Sequence, residues 1–171
     1  MSSKASKNKG SKIARQGAAR LVATQAVYQV TMQEQAAHNV IKEYKEHRFG
    51  QSPDGEEMVV PDSNLFEHIV GGVDLYSADI DALIASARSA GNQVTLEEVG
   101  SETPEDTKTD NIEPLLYSIL RCGVFELMQP DGIDAPIIIS DYMNVTDAFY
   151  DQGEKKLVNA VLDKVNGFLK D

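Results

Sequence analysis

KKLVNAVLDK, residues 155–164, sorts its charged and aliphatic residues onto two sides once it is wound as a helix. Leu157, Val161 and Val165 recur every four residues, as do Val158 and Leu162. That is the helical period, not the two-residue period of a strand. Lys156, Asn159, Asp163 and Asn166 form a polar stripe beside the apolar one. Lys156 and Asn159 are three apart and therefore neighbours on the surface. An ammonium holds a phosphate as a point charge. A carboxamide both donates and accepts, so it can meet a base edge or a sugar hydroxyl. From spacing alone, however, Asn159 is first of all a surface or packing amide.

The same period runs outward through the rest of the chain. It predicts helices over about 12–34, 36–48, 64–76, 78–90, 111–129, 136–150 and 153–169. No stretch alternates strictly, and no G-x-G-x-x-G or P-loop pattern occurs. The expectation is an all-α protein. Ser77 or Asp79 is placed to cap the fourth helix. Pro114 and Pro136 sit near helix starts, where a missing N–H costs little. Residues 50–64 are turn-rich. Residues 91–110, with six acids against one lysine, read as an acidic surface loop. Residues 1–10 read as a disordered basic tail, and 11–171 as one helical domain.

The 171 residues, 42% of them apolar, suffice for one domain or two small halves. One cysteine, Cys122, excludes an intrachain disulfide and fits a reducing cytoplasm. No apolar stretch approaches the roughly 20 residues of a membrane span. The basic N-terminus has no apolar run of the secretory kind. The net charge of −11 is unevenly spread. Residues 1–33 carry six Lys/Arg and no acid, whereas the other 138 carry ten Lys/Arg and all 27 acids, a charge of −17. A local basic patch on an acidic body follows, unless the basic segment is merely a solubilising tail.

On a helical wheel with Lys12 at zero, Arg15 falls near −60° and Arg20 near +80°. Ile13, Ala14, Gly17, Ala18, Leu21 and Tyr28 occupy the opposite arc. The wheel predicts that this second arc packs and that Lys12, Arg15 and Arg20 face solvent as a footprint for phosphates.

Nothing in the chain has the pattern of a catalytic or metal site. His38, His47 and His68 lack ligand spacing, and the pairs Glu56/Glu57 and Glu97/Glu98 lie in polar loops. No cofactor is expected, and Cys122 reads as a small buried thiol. Arg121 lies among Leu116, Ile119, Leu120, Val124 and Leu127. It requires a carboxylate partner, either Glu126 or another acid across the core.

Three stretches together resemble the NusB transcription antitermination family. AARLVATQAVYQ (18–29) is similar to the family's A-R-x-x-A-x-Q-A-L-Y opening. LLYSILRCGVFEL (115–127) resembles its L-R-x-x-x-x-E-L helix. IIISDYMNVTDAFYDQGEKKLVNAVLDK (137–164) resembles its closing pair, which ends K-F-V-N-G-V-L-D-K. The resemblance implies a bundle of about seven helices in two small halves and no enzymatic activity. It implies binding of boxA RNA together with NusE, a small-subunit ribosomal protein. It also implies entry into the RNA polymerase elongation complex, with other Nus factors, at ribosomal RNA operons. The RNA-binding residues expected here are Lys12, Arg15, Arg20, Lys155, Lys156 and Asn159. The chain departs from the pattern at Gln16, Gly17 and Ala18, where the family is often basic, and at Leu157, where it has phenylalanine. Two other functions compete: an accessory RNA-targeting domain like that of some ribosomal RNA methyltransferases, and a protein-only adaptor.

Overall fold

The computed structural model describes residues 10–49, 59–96, 112–129 and 133–170. Among them are seven α-helices, one π-helical turn and no strand. They fall into two compact units, 1–75 and 76–171.

The first unit contains α1 (Lys12–Gln33), α2 (Ala37–Glu43) and α3 (Ser63–Leu75). Ser11 starts α1 by accepting a hydrogen bond from the Ala14 N–H at 3.1 Å. Glu34 ends it in the left-handed region, at φ 50°. Ala19, Ala23 and Ala26 are fully buried, and α1 packs against α3 and α2. The predicted 36–48 helix is split. After α2 the chain makes a π turn, Tyr44–Arg48, closed by the Phe49 N–H donating to the Tyr44 carbonyl. The turn delivers Phe49 edge-on to Phe66, with ring centroids 4.9 Å apart, while Tyr44 stacks on Phe66 at 5.8 Å. Gln29 donates to Glu43 at 3.1 Å and Arg48 pairs with the same carboxylate at 3.2 Å. These bonds, the Gln29 one foremost, hold the Glu43 carboxyl below its ordinary range.

The second unit contains α4 (Ser77–Leu96), α5 (Pro114–Met128), α6 (Ala135–Asp147) and α7 (Gln152–Lys170). Its centre is α5, which packs on the other three helices and is therefore buried on most of its circumference. Gly123 lets α7 come close: a β-carbon there would lie 2.9 Å from Leu162 Cδ2. Both prolines stand in the first turns of their helices, as expected. Ser77 lies inside the first turn of α4 and not ahead of it, since the Ile80 N–H donates to the Tyr76 carbonyl. Asp79 is also in that turn, where a carboxylate suits the helix dipole.

α4 runs to Leu96, six residues into the expected 91–110 loop. Gly91 and Asn92 weaken a helix but do not break it, and no proline intervenes before Pro104. The rest of that loop, most of the 50–64 turn region and the 1–9 tail lie outside the described residues.

Candidate nucleic-acid interface

Of the six expected RNA-binding residues, three belong to the first unit and three to the second. Each set is described within its own unit.

In the first unit, the wheel's packing arc is corrected. Ile13 is 81% exposed, and Ala14 and Gly17 are exposed too. The buried residues of α1 are Ala19, Arg20, Ala23, Thr24, Ala26, Val27 and Gln29. That arc is centred near +30° on the wheel and includes the sector that holds Arg20. The physical reason lies in size. Three alanines give a surface that another helix can approach closely, and this outweighs one cation beside them.

Arg20 is consequently 3% exposed. Arg15 is half-buried, and its Nε donates to the Val60 carbonyl at 3.1 Å. The Asp62 N–H in turn donates to the Arg15 carbonyl at 3.0 Å, so residues 59–62 run along the start of α1. Gly10 fits there with φ 115°, a conformation that disfavours any side chain. Lys12 stays exposed in the first turn of α1.

In the second unit, α7 begins where Asp151 accepts from the Lys155 N–H. Val158, Val161, Leu162 and Val165 are buried, and Leu157 is half-buried. The polar stripe predicted from the sequence therefore faces outward. Lys155 is half-buried and pairs through Nζ with Asp147 at 3.0 Å. Lys156 and Asn159 are exposed. Asn159 stands at the edge of a cavity of about 390 Å³ between α6 and α7. Asp163 and Asn166 share that wall, facing Ser140 and Met143 on α6. The sequence placed Asn159, Asp163 and Asn166 on one stripe, but no period could show that α6 leaves a groove beside it.

A second polar centre escaped the sequence reading. Asp81 on α4 accepts from Arg121 Nε at 3.0 Å, from an Arg121 terminal nitrogen at 3.1 Å and from the Tyr117 hydroxyl at 2.8 Å. The guanidinium carbon lies 4.7 Å from the Tyr117 ring centroid. Burial first, and the Asp81 bond second, push the Tyr117 hydroxyl up to about 12. Asp81, an acid on the neighbouring helix α4, is thus a carboxylate partner of Arg121.

Among the described residues no group of three or more His, Cys, Asp or Glu is placed to hold a metal. Nor is any helix there long and apolar enough to cross a membrane.

Comparison with known proteins bears directly on this arrangement. The NusB family model matches residues 88–167. The transcription antitermination protein NusB of Sinorhizobium medicae is 34% identical over 149 residues, covering 87% of this chain and 84% of that protein. Its counterpart in Rhizobium etli is 35% identical with the same coverage. That of Agrobacterium fabrum is 34% identical, covering 87% and 81%. A solved structure of T. maritima NusB superimposes with a TM-score of 0.59 over 89% of this chain and 90% of that one. At 14% identity this last likeness speaks for the fold. With a third of its residues shared across most of its length, this chain belongs to the NusB family, whose relatives named above are transcription antitermination proteins.

Proposed function

We propose that the chain binds boxA-like RNA together with the ribosomal protein NusE. With other Nus factors it joins the RNA polymerase elongation complex at ribosomal RNA operons, in the cytoplasm and without catalysing a reaction. Residues 11–171 act as one module, extended by the basic tail of 1–10. The observation that carries the reading is the outward edge of α7. Lys156 and Asn159 are exposed there, within the segment that matches the family. Lys155 and the exposed Lys12 add cations, and Arg15 can turn outward only by leaving the Val60 carbonyl. The charge of −17 over residues 34–171 is complementary to a basic ribosomal protein, and such a field acts mainly on association rate.

The test is binding of a boxA-like RNA, measured by fluorescence anisotropy with and without NusE, against a scrambled RNA. Preference for boxA, strengthened by NusE, is expected. Equal weak binding of both RNAs, with or without NusE, would reject it. One observation favours the second reading, a protein-only adaptor: burial of Arg20 and tethering of Arg15 reduce the free cations on α1. That reading predicts NusE binding with no RNA dependence.

A further inference from the structure

We infer that the groove between α6 and α7 is a pocket for one unstacked base of the bound strand, selective for guanine. This rests on the RNA-binding reading above and adds a ligand chemistry to it. The groove, about 390 Å³, is near the low end of ligand clefts, roughly 300–1,000 Å³. Its α6 side is largely apolar, with Pro136, Ile139 and Met143 beside the single hydroxyl of Ser140, and suits the face of a base. Its α7 side carries Asn159, Asp163 and Asn166, at successive turns of one stripe. A carboxylate there accepts two hydrogen bonds side by side. A flanking carboxamide donates one. The Watson–Crick edge of guanine offers the matching set: two adjacent N–H donors, at N1 and N2, and the O6 acceptor. Adenine, cytosine and uracil each present one N–H donor position on that edge, so they leave part of the carboxylate unengaged.

Charge decides between a base and the side chain of a basic protein. Asp163 alone would welcome either. Lys156 and Lys170, both exposed, lie on the same stripe at either end of it. They are fourteen residues apart, about 21 Å along the helix axis. This span matches several nucleotides of a stacked strand at about 3.4 Å each. Cations at both ends attract phosphates and repel a cationic peptide, while the acid between them meets the base, not the backbone.

The experiment uses the full chain and four oligouridine strands that differ at one central position: guanosine, inosine, adenosine or uridine. The wild type should bind the guanosine strand about tenfold tighter than the uridine strand, with inosine, which lacks the N2 amino group, in between. Asp163→Asn and the groove-filling Ser140→Phe should erase that preference while melting temperatures stay close to wild type. Equal affinity of the wild type for all four strands overturns the groove inference and leaves the RNA reading standing. So does a guanine preference that survives both substitutions. Failure of the wild type to bind any strand, even at low salt, overturns both. A basic oligopeptide that binds the wild type but not Asp163→Asn, with no guanine preference in RNA, would assign the groove to a protein partner instead.

Discussion

Asp81 and Arg121 meet side-on across α4 and α5, forty residues apart in sequence, with two parallel N–H···O bonds of 3.0 and 3.1 Å. The fork geometry matters more than the charge alone, because a lysine cannot reproduce two parallel donors. Arg121→Lys should therefore lower stability by about 1 kcal/mol, measured by chemical denaturation. The half-exposed carboxylate tempers the effect through solvent screening. A variant as stable as wild type would show that one contact suffices.

Tyr117 makes the same cluster sensitive to alkali. Its hydroxyl is pushed up to about 12 from an ordinary 10, so the folded state favours the neutral phenol. The contribution is complete below pH 10 and is lost as pH rises from 10 to 12. Thermal melts across that window should show falling stability. Tyr117→Phe should flatten the fall without abolishing it, because burial also raises the Tyr44 hydroxyl.

The contact of α5 with α7 tolerates no added bulk. Gly123→Val would place a branched side chain where even a β-carbon comes within 2.9 Å of Leu162, itself fully buried. Overpacking should cost about 1–3 kcal/mol in denaturant midpoint terms. Gly167→Ala, at a position with open space around it, is the control and should match or exceed wild type.

Lys156 and Arg20 should behave differently although both were read from the sequence as phosphate contacts. Lys156→Ala should leave the melting temperature unchanged and reduce the salt slope of RNA binding by about 0.7. Arg20→Ala truncates a residue that is only 3% exposed and should lower stability by about 2 kcal/mol. A salt titration paired with a melt separates the two. A stable Arg20→Ala with reduced salt slope would return that residue to the interface.

These two residues also mark what was legible beforehand. On α7 the apolar positions are large and regularly spaced, so the stripe at Val158, Val161, Leu162 and Val165 declared its inner face and Lys156 its outer one. On α1 the packed side is built of alanines, which carry almost no hydropathy contrast, so the wheel turned toward Ile13 and Leu21 instead. Helix number and order came through because the period persists across each element. Asp81 was invisible because its partners are set by the packing of α4 on α5, a distance in space that no local spacing encodes. The groove beside Asn159 was hidden for the same reason.

The π turn at Tyr44–Arg48 has a consequence for how chain length maps onto shape in this protein. An i→i+5 loop holds one residue more than an α-turn, and each residue advances a helix by about 100°. Deleting a single residue here would turn the π loop into an ordinary α-turn, and because the extra residue is taken up within that one turn, the chain beyond it would keep its phase. Phe49, now edge-on to Phe66, would then stay with the aromatic cluster. A one-residue deletion between 44 and 48 should thus cost less than one in the middle of α1 or α5, where it would rotate buried positions away from the core by about 100°.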